Sequence, residues 1–456
     1  GIMQTVSRFI AERPQSPGGI VKQARTLMLI VGGLMGGSFI VGAPWIAEAR
    51  NNPGLVNGYR AAGVILFSYA VYTVYIGALN GRKLFFRQAL FDIGFTTMKA
   101  TLVLGLAMAG FGVLGAFSGF ATAAVIIMGV AVWRIGRDLK NGDRAKGLYV
   151  YAAQVMLYTL VFNLIFKLDG VLIKPAFTGY FAHTLGDWTP ASGDVYAWLS
   201  QQGALAEQVR AGADKLMADY GMAVAISRLP WQATIAITFV VFPLVSAATF
   251  AQDKAKTRLY VRQTMRYTIL LVGCAAVVLM AIPEAIFGLL PDGYSRGMEA
   301  LFWLAPAYFC FSLFNVVNTL LMSAKKAGVA LFIGFFTVGL AVLLYKAMLE
   351  DVHSAEALIA NAGMATLLSF TVGLLVGLGA LWRLFGAPIP LATTLRVMTI
   401  SSFLVWVGRS LEVPDGLTGV FLALGIALCY IAALLALGEF GPEDRARFKR
   451  VLGRNA

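Results

Sequence analysis

Twelve long apolar stretches, separated by short polar gaps, fill this chain. They lie near 26–49, 61–80, 92–110, 112–134, 148–173, 221–250, 264–290, 297–323, 328–348, 357–382, 392–410 and 415–437. Each approaches or exceeds the roughly 20 apolar residues that carry a helix across the hydrocarbon core of a bilayer. The chain is 59% hydrophobic and only 13% charged, which excludes an ordinary soluble domain. The pattern predicts an all-α polytopic membrane protein.

The basic residues orient it. Cytoplasmic loops are enriched in Lys and Arg. If the segment before residue 26 is cytoplasmic, the cytoplasmic gaps hold 26 of the 37 basic residues, from Arg8 and Arg13 to Arg450 and Arg454. The opposite gaps hold eight: Arg50, Arg60, Lys174, Arg210, Lys215, Arg296, Lys346 and Arg409. The C-terminus is then cytoplasmic. Three cations, Lys99, Lys167 and Arg228, lie within or at the edge of apolar runs and escape the sorting.

The net charge of +14 is accounted for by cations flanking spans, where they attract anionic head groups, so no nucleic-acid partner is expected. Cys274, Cys310 and Cys429 sit in apolar runs without CxxC spacing and read as buried, inert thiols, neither disulfides nor metal ligands. His183 and His353 are isolated. No Ser/His/Asp grouping, HExxH, phosphate-binding loop or dinucleotide fingerprint occurs, so no catalytic residue, metal or cofactor is expected.

The organisation predicted is an incomplete N-terminal lobe over 1–134, a cytoplasmic linker over 135–147, and a C-terminal lobe over 148–383. An outer insertion at 177–220 interrupts that lobe; an extra helix pair at 384–438 and a cytoplasmic tail at 439–456 follow. In the insertion, Leu205, Val209, Ala213 and Leu216 recur every three to four residues, which predicts an interfacial amphipathic helix. An internal echo suggests duplication. Leu79-Asn-Gly-Arg-Lys83 precedes a helix containing Ile93-Gly94-Phe95, and Leu321-Met-Ser-Ala-Lys325 precedes one containing Ile333-Gly334-Phe335.

Several stretches, in order, resemble the multidrug/oligosaccharidyl-lipid/polysaccharide (MOP) flippase superfamily, and within it the Wzx-like oligosaccharide flippases. They are GIMQTVSRFIAE at 1–12, ALNGRKLFFRQAL at 78–90, KLDGVLI at 167–173, SRLPWQATIAITFVVFPLVS at 227–246, LLPDGYSRGMEALFWLAP at 289–306 and LLMSAKKAG at 320–328. The resemblance implies two pseudo-symmetric six-helix lobes plus a terminal pair, with the first helix and most of the second absent from this sequence. It also implies a bacterial inner-membrane flippase that is not an enzyme. The expected cargo is a polyprenyl-pyrophosphate-linked oligosaccharide for cell-surface polysaccharide, moved by alternating access. A coupling ion and polysaccharide assembly enzymes are the expected partners besides the bilayer. The alternatives are a lipid II flippase, a drug/cation antiporter and, further off, a membrane glycosyltransferase or polymerase using Asp187 or Asp194 of the outer loop.

Charges at membrane depth are costly and usually face a bundle interior or water. Lys99, Lys167, Asp169, Arg228 and Arg8 are therefore the candidate cavity residues. Arg and Lys suit pyrophosphate through charge-assisted hydrogen bonds. The competing readings are structural ion pairs, snorkelling side chains and, for Arg8, a plain positive-inside anchor. Asp169 is expected to face Arg228 or Lys99.

Overall fold

A computed structural model describes all residues except 50–52, 140–141, 187–203, 291–295, 351, 353, 387–388, 412–416, 442–443 and 445–456. Arg50, Lys140, Asp187, Asp194, His353 and the tail cations Arg445, Arg447, Lys449, Arg450 and Arg454 thus lie outside the described residues. So does the side chain of Asp169.

The described chain is helical. Its elements are α1 (Ile2–Glu12), α2 (Pro17–Ala49), α3 (Val56–Gly81), α4 (Phe85–Leu106), α5 (Gly112–Gly136), α6 (Leu148–Gly186), α7 (Leu205–Ser227) and α8 (Leu229–Phe250). There follow α9 (Lys254–Ala281), α10 (Pro283–Phe287), α11 (Gly297–Ser323), α12 (Ala327–Leu349), α13 (Ala355–Phe385), α14 (Leu391–Arg409) and α15 (Leu417–Ala436). Among the described residues, 11 helical runs are long and apolar enough to cross a membrane. One of them, Phe85–Gly136, holds two of the twelve apolar stretches. The protein is a multi-span membrane protein, and the all-α polytopic expectation is borne out.

Local chemistry sets the breaks. Between α4 and α5 the chain passes through a π-helical turn, Ala107–Phe111. Gly110 (φ 96°) and Gly112 (φ 51°) there take left-handed conformations that a Cβ disfavours. Pro283 cannot continue α9 and instead opens α10 at its first turn. Ser354 caps α13 by accepting a hydrogen bond from the Ala357 amide at 3.1 Å.

The chain forms two compact units. Unit 1 comprises Gly1–Thr159, Phe239–Lys254 and Met322–Gly328. Within it, α1 lies directly against α3. A Cβ on Gly77 would meet the Met3 carbonyl oxygen at 2.7 Å, and one on Gly81 would meet that of Ser7 at 2.6 Å. This Gly-xxx-Gly pair is the small-residue seam by which membrane helices bring backbones together. Gly81→Val is expected to force α1 off α3 and cost about 1–3 kcal/mol, read as a lower thermal unfolding midpoint in detergent. An unchanged midpoint would mean that the seam is dispensable.

The echoed turns share backbone geometry. Lys83 (φ 60°) and Lys325 (φ 68°), matched in the sequence alignment of the two motifs, both adopt the left-handed conformation, uncommon for a residue with a Cβ. Each closes a cap immediately after its helix: the Lys83 amide reaches the Asn80 carbonyl at 2.9 Å, and that of Lys325 the Met322 carbonyl at 3.2 Å.

Unit 2 comprises Leu160–Thr238, Ala255–Leu321 and Val329–Ala456. Its core includes a cluster of rings. Phe311 packs 4.7 Å from Phe370 and 5.1 Å from Phe166, which lies 4.9 Å from Trp231, centroid to centroid. The chain around the expected outer insertion departs from its prediction. Residues 177–186 continue α6, and Lys167 sits near the middle of that 39-residue helix. The expected interfacial helix is the start of α7. Leu205 is exposed, but Val209, Ala213 and Leu216 are buried. The Phe181 ring of α6 closes on Gly212, and Lys174 pairs with Asp214 at 2.6 Å. The apolar stripe therefore faces another helix and not lipid. Cys429 also differs from expectation, being exposed on the apolar surface of α15.

Candidate functional site

In unit 1 the candidate cations are Arg8 and Lys99. Arg8 is 5% exposed. Its Nε donates to Glu12 Oε1 at 2.8 Å, one turn along α1, and its guanidinium lies over the Tyr151 ring at 4.0 Å. Lys325 approaches the other Glu12 oxygen at 3.8 Å. Tyr151 in turn donates to the Met322 carbonyl at 2.8 Å. A second polar chain adjoins: Ser7 donates to Asn80 (2.6 Å), and Asn80 donates to Gln88 (2.9 Å) and to the Phe239 carbonyl (3.0 Å). These bonds tie α1, α3, α4 and the middle of α8, and Arg8 is enclosed.

Lys99 is half-buried on α4. Its ammonium sits 5.3 Å from the Phe120 ring and 5.7 Å from Phe95. Among the described residues it forms no ion pair. Aromatic faces attract a cation without neutralising it, so the charge stays available. Two turns earlier on the same face, Asp92 accepts a hydrogen bond from Tyr72 at 3.4 Å. Sequence reasoning passed over Asp92, Glu12 and Asn80. The readable signals were the i, i+4 spacing of Arg8 and Glu12 and an acid in the apolar run that starts at 92.

In unit 2 the cation is Arg228, at the break between α7 and α8. Pro230, within the first turn of α8, has no amide to donate, which suits a helix start. The guanidinium lies 4.7 Å from the Phe166 ring and 5.4 Å from the Tyr308 ring. Its Nε donates to the Tyr308 hydroxyl at 2.7 Å, and Nη2 to the Phe166 carbonyl at 3.3 Å. The guanidinium thus stands beside the ring cluster of Phe166, Trp231 and Phe311. Lys167, on α6, is exposed. The expected pairing of Asp169 falls outside the described side chains.

A guanidinium and an ammonium lying over aromatic rings are able to bind an anion. Residues 7–186 match the family described as polysaccharide biosynthesis protein. No curated protein gives a significant match. Among solved structures, a MATE in its bent conformation aligns with a TM-score of 0.67 at 12% identity, covering 89% of this chain and 83% of that one. An outward-facing multidrug resistance MATE-family transporter of the MOP superfamily aligns at 0.62 and 13% identity, covering 84% and 82%. The Vibrio cholerae MATE transporter VcmN in its bent form aligns at 0.58 and 14%, covering 85% of each chain. The resemblance read from the sequence is borne out: the chain has the fold of the MATE transporters of the MOP superfamily, and over residues 7–186 it matches the polysaccharide biosynthesis protein family.

Proposed function

We propose that the protein is a flippase that carries a lipid-linked oligosaccharide, with a polyprenyl-pyrophosphate anchor, from the cytoplasmic to the outer leaflet of a bacterial inner membrane. The observation that carries this reading is the polysaccharide biosynthesis match on a chain with a transporter fold. The chemistry of the unsorted cations supports it. Lys99 lies over the Phe120 ring and Arg228 is bound to Tyr308, both on helical runs apolar enough to cross a membrane, where a pyrophosphate head group needs compensation and a cationic drug does not. The polar head would cross by alternating access of a protein with lobes at 1–134 and 148–383, a linker at 135–147 and the tail 439–456 in the cytoplasm. Lys167, Asp169 and Arg8 complete the proposed set of cavity residues. A coupling ion would supply the driving force, and polysaccharide assembly enzymes would consume the product.

Deletion of the gene in its host, with complementation, tests this. The expected result is loss of surface glycan, accumulation of the lipid-linked precursor inside, and unchanged ethidium efflux. Complementation with Lys99→Glu is expected to restore about tenfold less glycan than Lys99→Arg, the equivalent of about 1.4 kcal/mol. Intact glycan with lost ethidium efflux would overturn the reading in favour of the drug/cation antiporter. A cell-wall precursor block with intact surface glycan would favour lipid II.

A further inference from the structure

A second basic site, built from residues other than Lys99 and Arg228, lies toward the start of α9 and α14 within unit 2. Pocket residues Arg262, Gln263, Arg266, Thr393 and Arg396 surround a cavity of about 380 Å³. Its wall is built. The Glu439 carboxylate, buried, accepts from Arg266 Nε (2.7 Å) and Thr393 (2.6 Å) on one oxygen and from Arg396 (2.7 Å) on the other. Arg266 also donates to the Glu439 carbonyl, and its Nη2 to Asp444 at 3.0 Å. Tyr267 donates to Asp444 at 2.7 Å. Burial alone would raise both carboxyls. The hydrogen bonds, from Thr393, Arg266 and Arg396 to Glu439 and from Tyr267 and Arg266 to Asp444, outweigh it and hold both below the ordinary carboxylate range.

Those two carboxylates fix Arg266 and Arg396 in place but do not answer Arg262. It is exposed and, among the described residues, has no ion-pair or hydrogen-bond partner. Three guanidiniums thus line a cavity whose one lining carboxylate has both oxygens occupied. Beside it runs an apolar, exposed stripe on α14, Leu391, Leu395 and Met398, with exposed Leu259 on the cavity's own wall. An anion hole next to lipid-facing surface suits an amphiphile better than a free ion. In the orientation expected from the basic sorting this mouth opens to the cytoplasmic leaflet, where basic pockets between helices bind anionic lipid head groups.

We propose that this cavity binds the phosphodiester head group of an anionic glycerophospholipid, with its acyl chains along the Leu391–Leu395–Met398 stripe. The site shares no residue with the proposed cargo set and does not depend on what is transported.

The test uses the full chain in nanodiscs of phosphatidylcholine with or without phosphatidylglycerol, and bound lipid is counted by native mass spectrometry. Phosphatidylglycerol is expected to be retained over phosphatidylcholine. Arg262→Gln, which removes an unpaired exposed cation, should lower its apparent affinity about tenfold. Arg262→Lys should keep most of it, and thermal unfolding in phosphatidylcholine should be the same for all three proteins. Millimolar inorganic phosphate should not displace the lipid. Equal retention of the two lipids, wild-type affinity in Arg262→Gln, or displacement by inorganic phosphate would each overturn the proposal; the last would assign the cavity to a free anion.

Discussion

Arg228→Glu is expected to abolish surface glycan while the protein still inserts at wild-type level. The guanidinium stands at the α7–α8 break, oriented by the Tyr308 hydroxyl at 2.7 Å and the Phe166 carbonyl at 3.3 Å, and stacked on the Phe166 ring at 4.7 Å. Under the proposed function it meets a pyrophosphate. Losing one member of a desolvated charge pair costs about 2–5 kcal/mol, which is at least about thirtyfold in binding, and the introduced carboxylate adds repulsion. Arg228→Lys keeps the charge but loses the planar fork and the stacking, so export should fall without vanishing. Tyr308→Phe removes the orienting hydroxyl and should give a smaller loss. Arg228→Gln guards against misfolding in the reversed variant. If Arg228→Gln accumulates normally and exports at the wild-type rate, Arg228 has no part in transport.

The fold was legible because hydropathy and charge sorting report the same thing, contact with lipid. The stretch 297–323 coincides with α11, and 328–348 with α12 to one residue at either end. Hydropathy loses a helix where its side chains turn polar. The apolar run 148–173 stops at Lys174, yet α6 continues to Gly186, because backbone hydrogen bonding does not depend on apolar side chains and α7 supplies Asp214 and a bed for Phe181. The echo of Lys83 and Lys325 was visible as letters; that both residues are left-handed was not. Arg228 and Lys99 were legible as cations that fail to sort. Their surroundings were not, since Tyr308 and Phe120 come from other helices. The Glu439 cluster was hidden for the same reason: its partners lie 43 and 173 residues away in Arg396 and Arg266.

Arg8→Met is expected to destabilise the protein by about 3–5 kcal/mol, the usual cost of stranding one member of a buried ion pair. Both side chains are enclosed, 7% exposed for Arg8 and 4% for Glu12. Lys325, half exposed at 3.8 Å, can answer only part of the charge left on Glu12. Glu12→Leu should also destabilise, less severely, because Arg8 retains the face of Tyr151 at 4.0 Å. The double variant Arg8→Met/Glu12→Leu removes both charges and fills the space with apolar atoms, so it should be more stable than Arg8→Met alone. Thermal unfolding in detergent gives the coupling between the two positions. Export measured on the same four proteins separates the two roles that the sequence allowed for Arg8. A structural pair predicts that the double variant recovers export together with stability. If stability returns and glycan does not, Arg8 belongs with Lys99 and Arg228 in the path of the cargo, and its burial describes one state of the transport cycle.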